Sequence, residues 1–285
     1  MLTKGTRIAD YLIARSAVVV GAMSEVYEAH AVTGGAPVAV KVLRSHWCPH
    51  QEVTARFLNE GETLRTLQHP HLVRALATGV HSDNRPYMVL EWMPEDLERA
   101  LKREGGHLSE GDCTQVVRQL AQVLAMLHAR GIIHRDLKPA NVLVAQRAPG
   151  AWRIVLADLG LAKRLVTDKA PGAGLLVSTA GDALMGTGEY MPPEQWDSAK
   201  HVDDRADVYS LGVLAFELLA GRLPFIAHKN QSLMAYHVLD DPPLELLDGR
   251  ASPEVRALLA RMLEKTPADR PSMTDVLSLW PVASG

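Results

Sequence analysis

Near its centre the chain reads His134-Arg135-Asp136-Leu137-Lys138-Pro139-Ala140-Asn141-Val142-Leu143. The first eight residues make a compact polar loop, and the apolar residues that follow predict the start of a strand. Asp136 can accept a proton, Lys138 can neutralise negative charge, and Asn141 can offer a neutral oxygen to a metal ion. Such a combination at short spacing indicates a reaction centre rather than a solvated turn.

The composition is that of an ordinary globular protein, with 285 residues of which 47% are hydrophobic and 22% are charged. This length predicts about two folding units, or one domain with two lobes. The formal net charge of −3 does not favour nucleic acid as a partner. Cys48 and Cys113 predict neither a metal site nor a disulfide framework, which fits a reducing cytoplasm. The longest apolar helix candidate, Val208 to Phe225, contains Glu217 and Arg222, so we expect no membrane segment.

The N-terminal part of the chain predicts a sheet of short strands. β-Branched residues are concentrated in three stretches that are separated by glycine-containing turns: Val18–Val20, Glu25–Ala29 and Pro37–Leu43. Lys41 is the one long cation in the third stretch. It is either a functional lysine or a strand residue that extends its ammonium group to water.

A helix is predicted from about Gln51 to Leu67. Its buried face is indicated by residues at three- and four-residue spacing: Phe57, Glu60, Leu64 and Leu67. Because a carboxylate on a buried face needs a cationic partner, we expect Glu60 to pair with Lys41. Glu62 is the competing candidate, although its position points away from the apolar face.

The remainder of the chain predicts further short strands and, after them, mainly helices. The expected strands are Leu72–Val80, Pro86–Trp92 and, after the central loop, Trp152–Leu156. Ser109 is a good N-cap for a helix with an apolar stripe. Residues Leu161 to Met185 are rich in Gly, Ala, Ser and Thr and predict a long loop.

The stretch around Asp136 resembles the catalytic loop of the protein-kinase family, whose pattern is H-R-D-L-x-x-x-N. Further stretches in the family's order carry the same resemblance: Val38–Lys41, Glu91–Met93, Ala157–Gly160, Gly186–Glu194, Asp207–Val213 and Ala268–Pro271. Lys138 and Thr187 are typical of the serine/threonine branch. The residues of several motifs are similar to those of bacterial members of the family. The resemblance covers about Tyr11 to Trp280.

This resemblance implies an α+β, bilobal protein-kinase fold that forms a single catalytic domain over residues 1–285. The expected N-lobe is small, mostly β and spans about residues 1–91. The hinge spans about 91–95, and the larger, mostly helical C-lobe spans about 96–285. Between the lobes the family binds ATP and Mg²⁺. The implied enzyme is a cytoplasmic serine/threonine protein kinase, which transfers the γ-phosphoryl group of ATP to hydroxyl groups of protein substrates.

The resemblance also assigns roles to individual residues. The implied catalytic residues are Asp136, Lys138, Lys41, Glu60 and Thr187. The implied nucleotide contacts are Val19, Gly21, Val26, Ala39, Lys41, Glu91, Met93, Asp96, Asn141, Leu143 and Asp158. The implied Mg²⁺ ligands are Asn141 and Asp158. Asp96 is open to two interpretations, as a ribose contact or as a helix N-terminal acid favoured by the dipole. Structural roles are expected for Asp207, which would anchor the catalytic loop, and for Arg270, which would pair with Glu194.

The chain departs from the family pattern at the glycine-rich loop G-x-G-x-x-G. Only Gly21 matches a glycine there, since Val19 and Ser24 occupy the outer positions. We therefore expect weaker binding of ATP phosphates than in a relative with the full motif. The eroded loop also supports an alternative, a pseudokinase that acts as a nucleotide-binding scaffold. A small-molecule kinase of related fold is a third alternative, which the peptide-docking segment Gly186–Glu194 argues against.

The long loop corresponds to the family's activation segment. In the family an arginine at the position of Arg135 receives a phosphate from this segment, and the hydroxyls available are those of Thr167, Ser178 and Thr179. We expect autophosphorylation on at least one of them, with Thr179 preferred. The alternative is a flexible loop whose hydroxyls have no role.

Overall fold

The computed structural model describes residues 1–15, 17–148, 150–159, 188–197 and 202–281. These residues form two compact units, the first comprising Met1–Met93 and the second beginning at Pro94. The first unit is a sheet with one long helix, whereas the second is mainly helical. The predicted α+β class is confirmed.

The sheet of the first unit is antiparallel throughout and has the order β1-β2-β4-β5-β7-β6, with β3 paired to β4. Its strands are β1 (Arg7–Ile8), β2 (Tyr11–Ile13), β3 (Val19–Val20), β4 (Ser24–Ala31), β5 (Pro37–Leu43), β6 (Ala75–Val80) and β7 (Pro86–Glu91). Because side chains alternate along a strand, one face carries the apolar core. That core includes Leu2, Ile8, Ile13, Tyr27, Val40, Val42 and Val89.

The opposite face of this sheet packs against helix α1 (Gln51–Thr66), which contacts β6 and β7. Residues that are directly opposite one another on paired strands share a face. The register defines one such row across five strands: Val19, Val26, Lys41, Met88 and Thr78. This Lys41 row is thus on the face that α1 covers.

The second unit contains a small antiparallel sheet in the order β10-β9-β8 and most of the helices. Its strands are β8 (Glu95–Asp96), β9 (Val142–Gln146) and β10 (Arg153–Leu156). Its α-helices, among the residues that are described, are α2 (Leu97–Arg103), α3 (Glu110–His128), α4 (Pro193–Asp197), α5 (Arg205–Ala220), α6 (Asn230–Leu239), α7 (Pro253–Met262) and α8 (Met273–Leu279). Helix α5 is buried along nearly its whole length and forms the centre of the unit.

The observed elements differ from the sequence predictions at their ends. The strand expected from Leu72 begins only at Ala75, since Leu72 forms only a β-bridge and the strand is interrupted at residues 73 and 74. The apolar helix expected to reach Phe225 ends at Ala220, since Gly221 adopts a left-handed φ of 75° and closes it. Strand β8 was not predicted, because its partner β9 lies far along the chain. Within the described part of the chain, no helix is both long and apolar enough for a bilayer span.

Candidate active site

Lys41 and Glu60 form an ion pair inside the first unit. Lys41 Nζ lies 3.1 Å from Glu60 Oε1, and their side chains are only 11% and 1% exposed. Lys41 Nζ also lies 5.8 Å from the ring centroid of Phe57, within the range of a cation–π interaction. Glu62, the competing candidate, is on the exposed side of α1 and binds Thr78 and Arg65 instead. The predicted pairing of Lys41 with Glu60 is therefore present.

The turn between β3 and β4 occupies the position of the glycine-rich loop. Gly21 N–H donates to Ser24 O at 2.9 Å, which closes the turn. Positive φ is absent from residues 17–24, all of which are described, so this backbone does not use the special freedom of glycine. Val19 and Ser24 thus impose no backbone strain here, although the expected weakening of phosphate binding stays a prediction.

Two side chains that follow β5 hold this turn by its carbonyl groups. Arg44 Nη1 donates to Gly21 O at 3.2 Å, and Trp47 Nε1 donates to Ala22 O at 3.1 Å. Arg44 N–H also donates to Met23 O at 2.9 Å. Neither residue was predicted from the sequence, because no motif or periodicity links Arg44 or Trp47 to the turn.

The other predicted nucleotide contacts of the first unit lie on β4, β5 and β7. Val26 belongs to the Lys41 row, and Ala39 is two residues before Lys41 on β5, so both share its face and are half-buried. Glu91 is the last residue of β7, and its N–H donates to Arg74 O at 3.1 Å. Because the N–H group of Glu91 is already bonded, its carbonyl oxygen is the backbone atom left for the predicted hydrogen bond with adenine.

In the second unit, Asp136, Lys138 and Asn141 form a compact polar cluster. Asn141 Nδ2 donates to Asp136 Oδ2 at 2.8 Å and to Asp136 O at 2.7 Å. Lys138 Nζ lies 3.4 Å from Asp136 Oδ1. A short 3₁₀ turn over Pro139–Asn141 brings the amide back to the aspartate. The three residues that were predicted from the central stretch are thus in mutual contact.

Asp207, in the first turn of α5, anchors the loop that contains Asp136 by hydrogen bonds. Its carboxylate accepts hydrogen bonds from His134 N–H (2.9 Å), Arg135 N–H (2.8 Å) and His128 Nε2 (2.7 Å). Burial alone would raise the pKa of Asp207, but the hydrogen bond from His128 and the other donors hold that pKa below its usual value. Arg135 has a φ of 62°, a conformation that costs a side-chain-bearing residue about 1–3 kcal/mol. The bonds to Asp207 stabilise that conformation, so the predicted anchoring role is confirmed.

Asn141 is also tied to the segment that carries Asp158. Ala157 N–H donates to Asn141 O at 2.9 Å, and His134 Nε2 lies 3.3 Å from Ala157 O. Asp158 follows with a φ of 61°. Since the side-chain N–H₂ of Asn141 is engaged by Asp136, its amide oxygen is the atom left for a cation. An amide oxygen and a carboxylate from adjacent segments are the hard oxygen donors that Mg²⁺ prefers.

Comparison with known proteins identifies this arrangement. The family model described as "Protein kinase domain" matches residues 16–280. The chain belongs to the protein kinase family.

Among curated relatives, serine/threonine-protein kinase pkn3 of Myxococcus xanthus is 32% identical to this kinase domain over 259 residues. That match covers 90% of this chain and 46% of the relative. Serine/threonine-protein kinase PknB of Mycobacterium tuberculosis is 32% identical over 254 residues, which cover 88% of this chain and 39% of PknB. The chain thus spans less than half of the length of these curated relatives.

A solved structure gives a similar result for the fold. The crystal structure of Rad53 1-466 in complex with AMP-PNP matches this kinase domain with a TM-score of 0.74 and 27% sequence identity. The match covers 94% of this chain and 64% of the Rad53 chain. The predicted protein-kinase fold is therefore confirmed.

The kinase domain contains the buried Glu194–Arg270 pair that the sequence predicted. Arg270 Nη1 and Nη2 donate to the two carboxylate oxygens of Glu194 at 2.7 and 2.8 Å. Arg270 is 2% exposed and also donates to Glu264 O, Lys265 O and Arg205 O. This bidentate ion pair connects α4 with the segment before α8. Leu159, at the position where the family's Asp-Phe-Gly motif has phenylalanine, is fully buried.

A small open pocket adjoins the catalytic loop within the second unit. Its lining comprises Arg135, Asp136, Leu137, Lys138, Tyr190, Met191, Gln195 and Ser210. Tyr190 is held there by Glu217, whose Oε2 accepts its hydroxyl hydrogen bond at 2.5 Å, and by Ser210, which donates to Tyr190 O at 2.8 Å. Burial raises the pKa of Glu217 to about 7, against a lowering effect of the Tyr190 hydrogen bond. The contact between Tyr190 and Glu217 was not predicted from the sequence.

Asp96 serves as the N-cap of α2, because its Oδ1 accepts from Arg99 N–H at 2.8 Å. The helix-terminal interpretation is thus the one that the contacts favour, and the ribose contact stays a prediction. Leu143 lies opposite Asp96 in the small sheet and is half-buried.

Four predicted residues lie outside the described part of the chain: Thr167, Ser178, Thr179 and Thr187.

Proposed function

We propose that this chain is an ATP-dependent serine/threonine protein kinase that phosphorylates hydroxyl groups of protein substrates. The observation that carries the proposal is the cluster of Asp136, Lys138 and Asn141, held on Asp207. The names of the curated relatives, which are serine/threonine-protein kinases, support the same activity. The scaffold alternative is not favoured, because Lys41, Glu60 and the cluster are all in place for chemistry.

In the proposed reaction, Asp136 accepts the proton of the substrate hydroxyl while the hydroxyl oxygen attacks the γ-phosphorus. The bond from the γ-phosphorus to the bridging oxygen breaks, and ADP leaves with that oxygen. Lys138, 3.4 Å from Asp136, neutralises charge on the transferred group. Thr187 is proposed to lie near these two residues.

Lys41 is proposed to bind the α- and β-phosphates, and Glu60 to orient its ammonium group through the 3.1 Å contact. The adenine would bind the Glu91 carbonyl and the Met93 backbone. Apolar contacts with the nucleotide would come from Val19, Val26, Ala39 and Leu143, with Gly21 near the phosphates and Asp96 near the ribose. That Rad53 was crystallised with AMP-PNP supports nucleotide binding by this fold.

The protein-kinase family implies a divalent metal, and we propose Mg²⁺ held by Asn141 and Asp158. The metal would neutralise phosphate charge during transfer. The fit rests on the free amide oxygen of Asn141 and on the hydrogen bond from Ala157 N–H, which ties the Asp158 segment to Asn141. Oxygen donors of this kind suit Mg²⁺ better than softer metals.

Autophosphorylation of Thr167, Ser178 or Thr179 and a cytoplasmic location are also part of the proposal. The first rests on the position of Arg135 beside Asp136. The second rests on Cys48 and Cys113, which are both free thiols. Protein substrates are favoured over nucleic acid by the net charge of −3.

The test is the substitution Asp136→Asn, which keeps the size of the side chain but removes the proton acceptor. We expect γ-phosphate transfer to a generic protein substrate to fall by about 100-fold or more. Binding of MgATP, measured by calorimetry, should change little. Asp240→Asn, at the exposed end of α6, is the matched control and should keep full activity. Near-normal turnover of the Asp136 variant would refute the assigned role.

A further inference from the structure

Gly61 lies in the middle of α1, immediately after Glu60, and is buried. Glycine is a poor helix former, because it loses more backbone entropy on folding than alanine does. Its φ is not in the left-handed region, so backbone conformation does not explain its presence. A reason based on space is therefore required.

The space beside Gly61 is filled by strand β6. A Cβ atom added to Gly61 would lie 2.5 Å from Thr78 Cγ2, whereas the next atoms, Met88 Cβ and Thr78 Cβ, would be 3.4 and 3.6 Å away. The first distance is far below van der Waals contact. Only the methyl group of Thr78 therefore excludes a larger residue, and the backbone of α1 approaches β6 closely at this point.

The Thr78 side chain cannot change its χ1 rotamer without losing a hydrogen bond. Its hydroxyl donates to Glu62 Oε1, on the helix residue that follows Gly61. As a β-branched residue Thr78 has few χ1 rotamers, and rotation that removed the methyl group from Gly61 would break this bond. The same carboxylate is held from the other side by Arg65 at 3.0 Å.

This contact is coupled to the ion pair through the sheet. Thr78 is opposite Met88, and Met88 is opposite Lys41, so the three side chains occupy one row beneath α1. Glu60, the neighbour of Gly61, reaches down to the Lys41 ammonium group at 3.1 Å. Any change in the distance between α1 and β6 would thus change the distance between the Glu60 carboxylate and the Lys41 ammonium group.

We propose that Gly61 forms a notch in α1 that accommodates the methyl group of Thr78, so that α1 lies close enough to the sheet for Glu60 to reach Lys41. Gly61 is therefore a positioning residue, since it would not touch the nucleotide. The inference rests on the proposed function, in which the Lys41–Glu60 pair acts on ATP phosphates. It adds a specific packing contact on which this pair depends.

The experiment compares Gly61→Ala with the double variant Gly61→Ala/Thr78→Ser. The alanine should displace α1 and lower kcat/KM for ATP by about 10- to 100-fold, as expected for misplacement of a catalytic group. Serine removes the clashing methyl group but keeps the hydroxyl that binds Glu62. The double variant should therefore recover activity to within about threefold of the wild type, and Thr78→Ser alone should have little effect.

Two controls separate positioning from general damage. Gly111→Ala in α3, where an added Cβ would meet only Ser109 Oγ at 3.9 Å, should behave as wild type. In a Glu60→Gln background, where the ion pair is already lost, Gly61→Ala should cause no further loss of activity. A purely structural effect would multiply with Glu60→Gln and lower the melting temperature to the same extent in both backgrounds.

The outcomes are distinct. Wild-type activity in Gly61→Ala, lack of rescue by Thr78→Ser, or multiplicative losses with Glu60→Gln would each overturn the notch proposal. Absence of phosphoryl transfer in the wild-type chain would instead refute the proposed function.

Discussion

The indole N–H of Trp47 is one of two side-chain donors that hold the turn between β3 and β4. Trp47→Phe keeps an aromatic ring and removes the hydrogen bond to Ala22 O, which is worth about 0.5–1.5 kcal/mol. We expect the dissociation constant for MgATP to rise by about two- to tenfold. Adenosine, which has no phosphates, should bind as before, and calorimetric titration of both ligands measures the difference.

The control for Trp47 is His46→Phe, at the exposed neighbouring position. Equal weakening of MgATP and adenosine by Trp47→Phe would assign the residue to the stability of the whole sheet. Weakening by His46→Phe to the same degree would contradict a specific role of the indole N–H.

Glu217 makes stability depend on pH, because burial raises its pKa to about 7 in the folded chain. An acid whose pKa is raised by folding contributes stability below its unfolded pKa, near 4.5, and loses that contribution as pH rises through 7. Glu217→Gln cannot ionise, so it should become progressively more stable than wild type between about pH 4.5 and 7. The gain should be on the order of 3 kcal/mol at most. Urea unfolding at several pH values tests this, and a difference independent of pH would contradict it.

At the scale of elements, the Glu194–Arg270 pair fixes α4 against the segment before α8. Arg270→Ala leaves the Glu194 carboxylate without its two donors and removes three further bonds to carbonyl oxygens. Loss of a partner from a buried ion pair costs about 3–5 kcal/mol. The free energy of unfolding in urea should fall by that amount.

The matched control is Arg256→Ala, which removes the exposed pair with Asp248. Exposed pairs contribute about 0–1 kcal/mol, so this variant should be nearly as stable as wild type. Similar losses for the two arginines would mean that burial of Arg270 adds nothing.

At the scale of the whole molecule, a bound ligand stabilises the folded chain by mass action. MgATP at about 100 times its dissociation constant should add about 2.7 kcal/mol and raise the melting temperature. ATP with a chelator should give a smaller shift if a metal takes part. Asp158→Asn should remove the metal-dependent part of the shift, whereas Asp240→Asn should keep it. Equal shifts with and without Mg²⁺ in the wild type would contradict the proposed metal site.

The sequence by itself determined the parts of the site whose residues are close along the chain. Asp136, Lys138 and Asn141 lie within one loop, so a single short turn is enough to bring them together. Periodicity also sufficed for Glu60, because the 3.6-residue repeat puts it on the buried face of α1 whatever that face packs against. The fold class was implied by the resemblance of these local motifs to the protein-kinase family.

Only the tertiary structure decided the contacts that hold these parts in place. Trp47 and Ala22 are 25 residues apart, and Tyr190 and Glu217 are 27 apart. Gly61 would have been read as a weak helix residue, since the methyl group that requires it belongs to Thr78 on another element. Such pairs have no periodic signal, because their proximity depends on how whole elements pack. Strand β8 was missed for the same reason, because β9, with which it pairs, follows α3 in the chain.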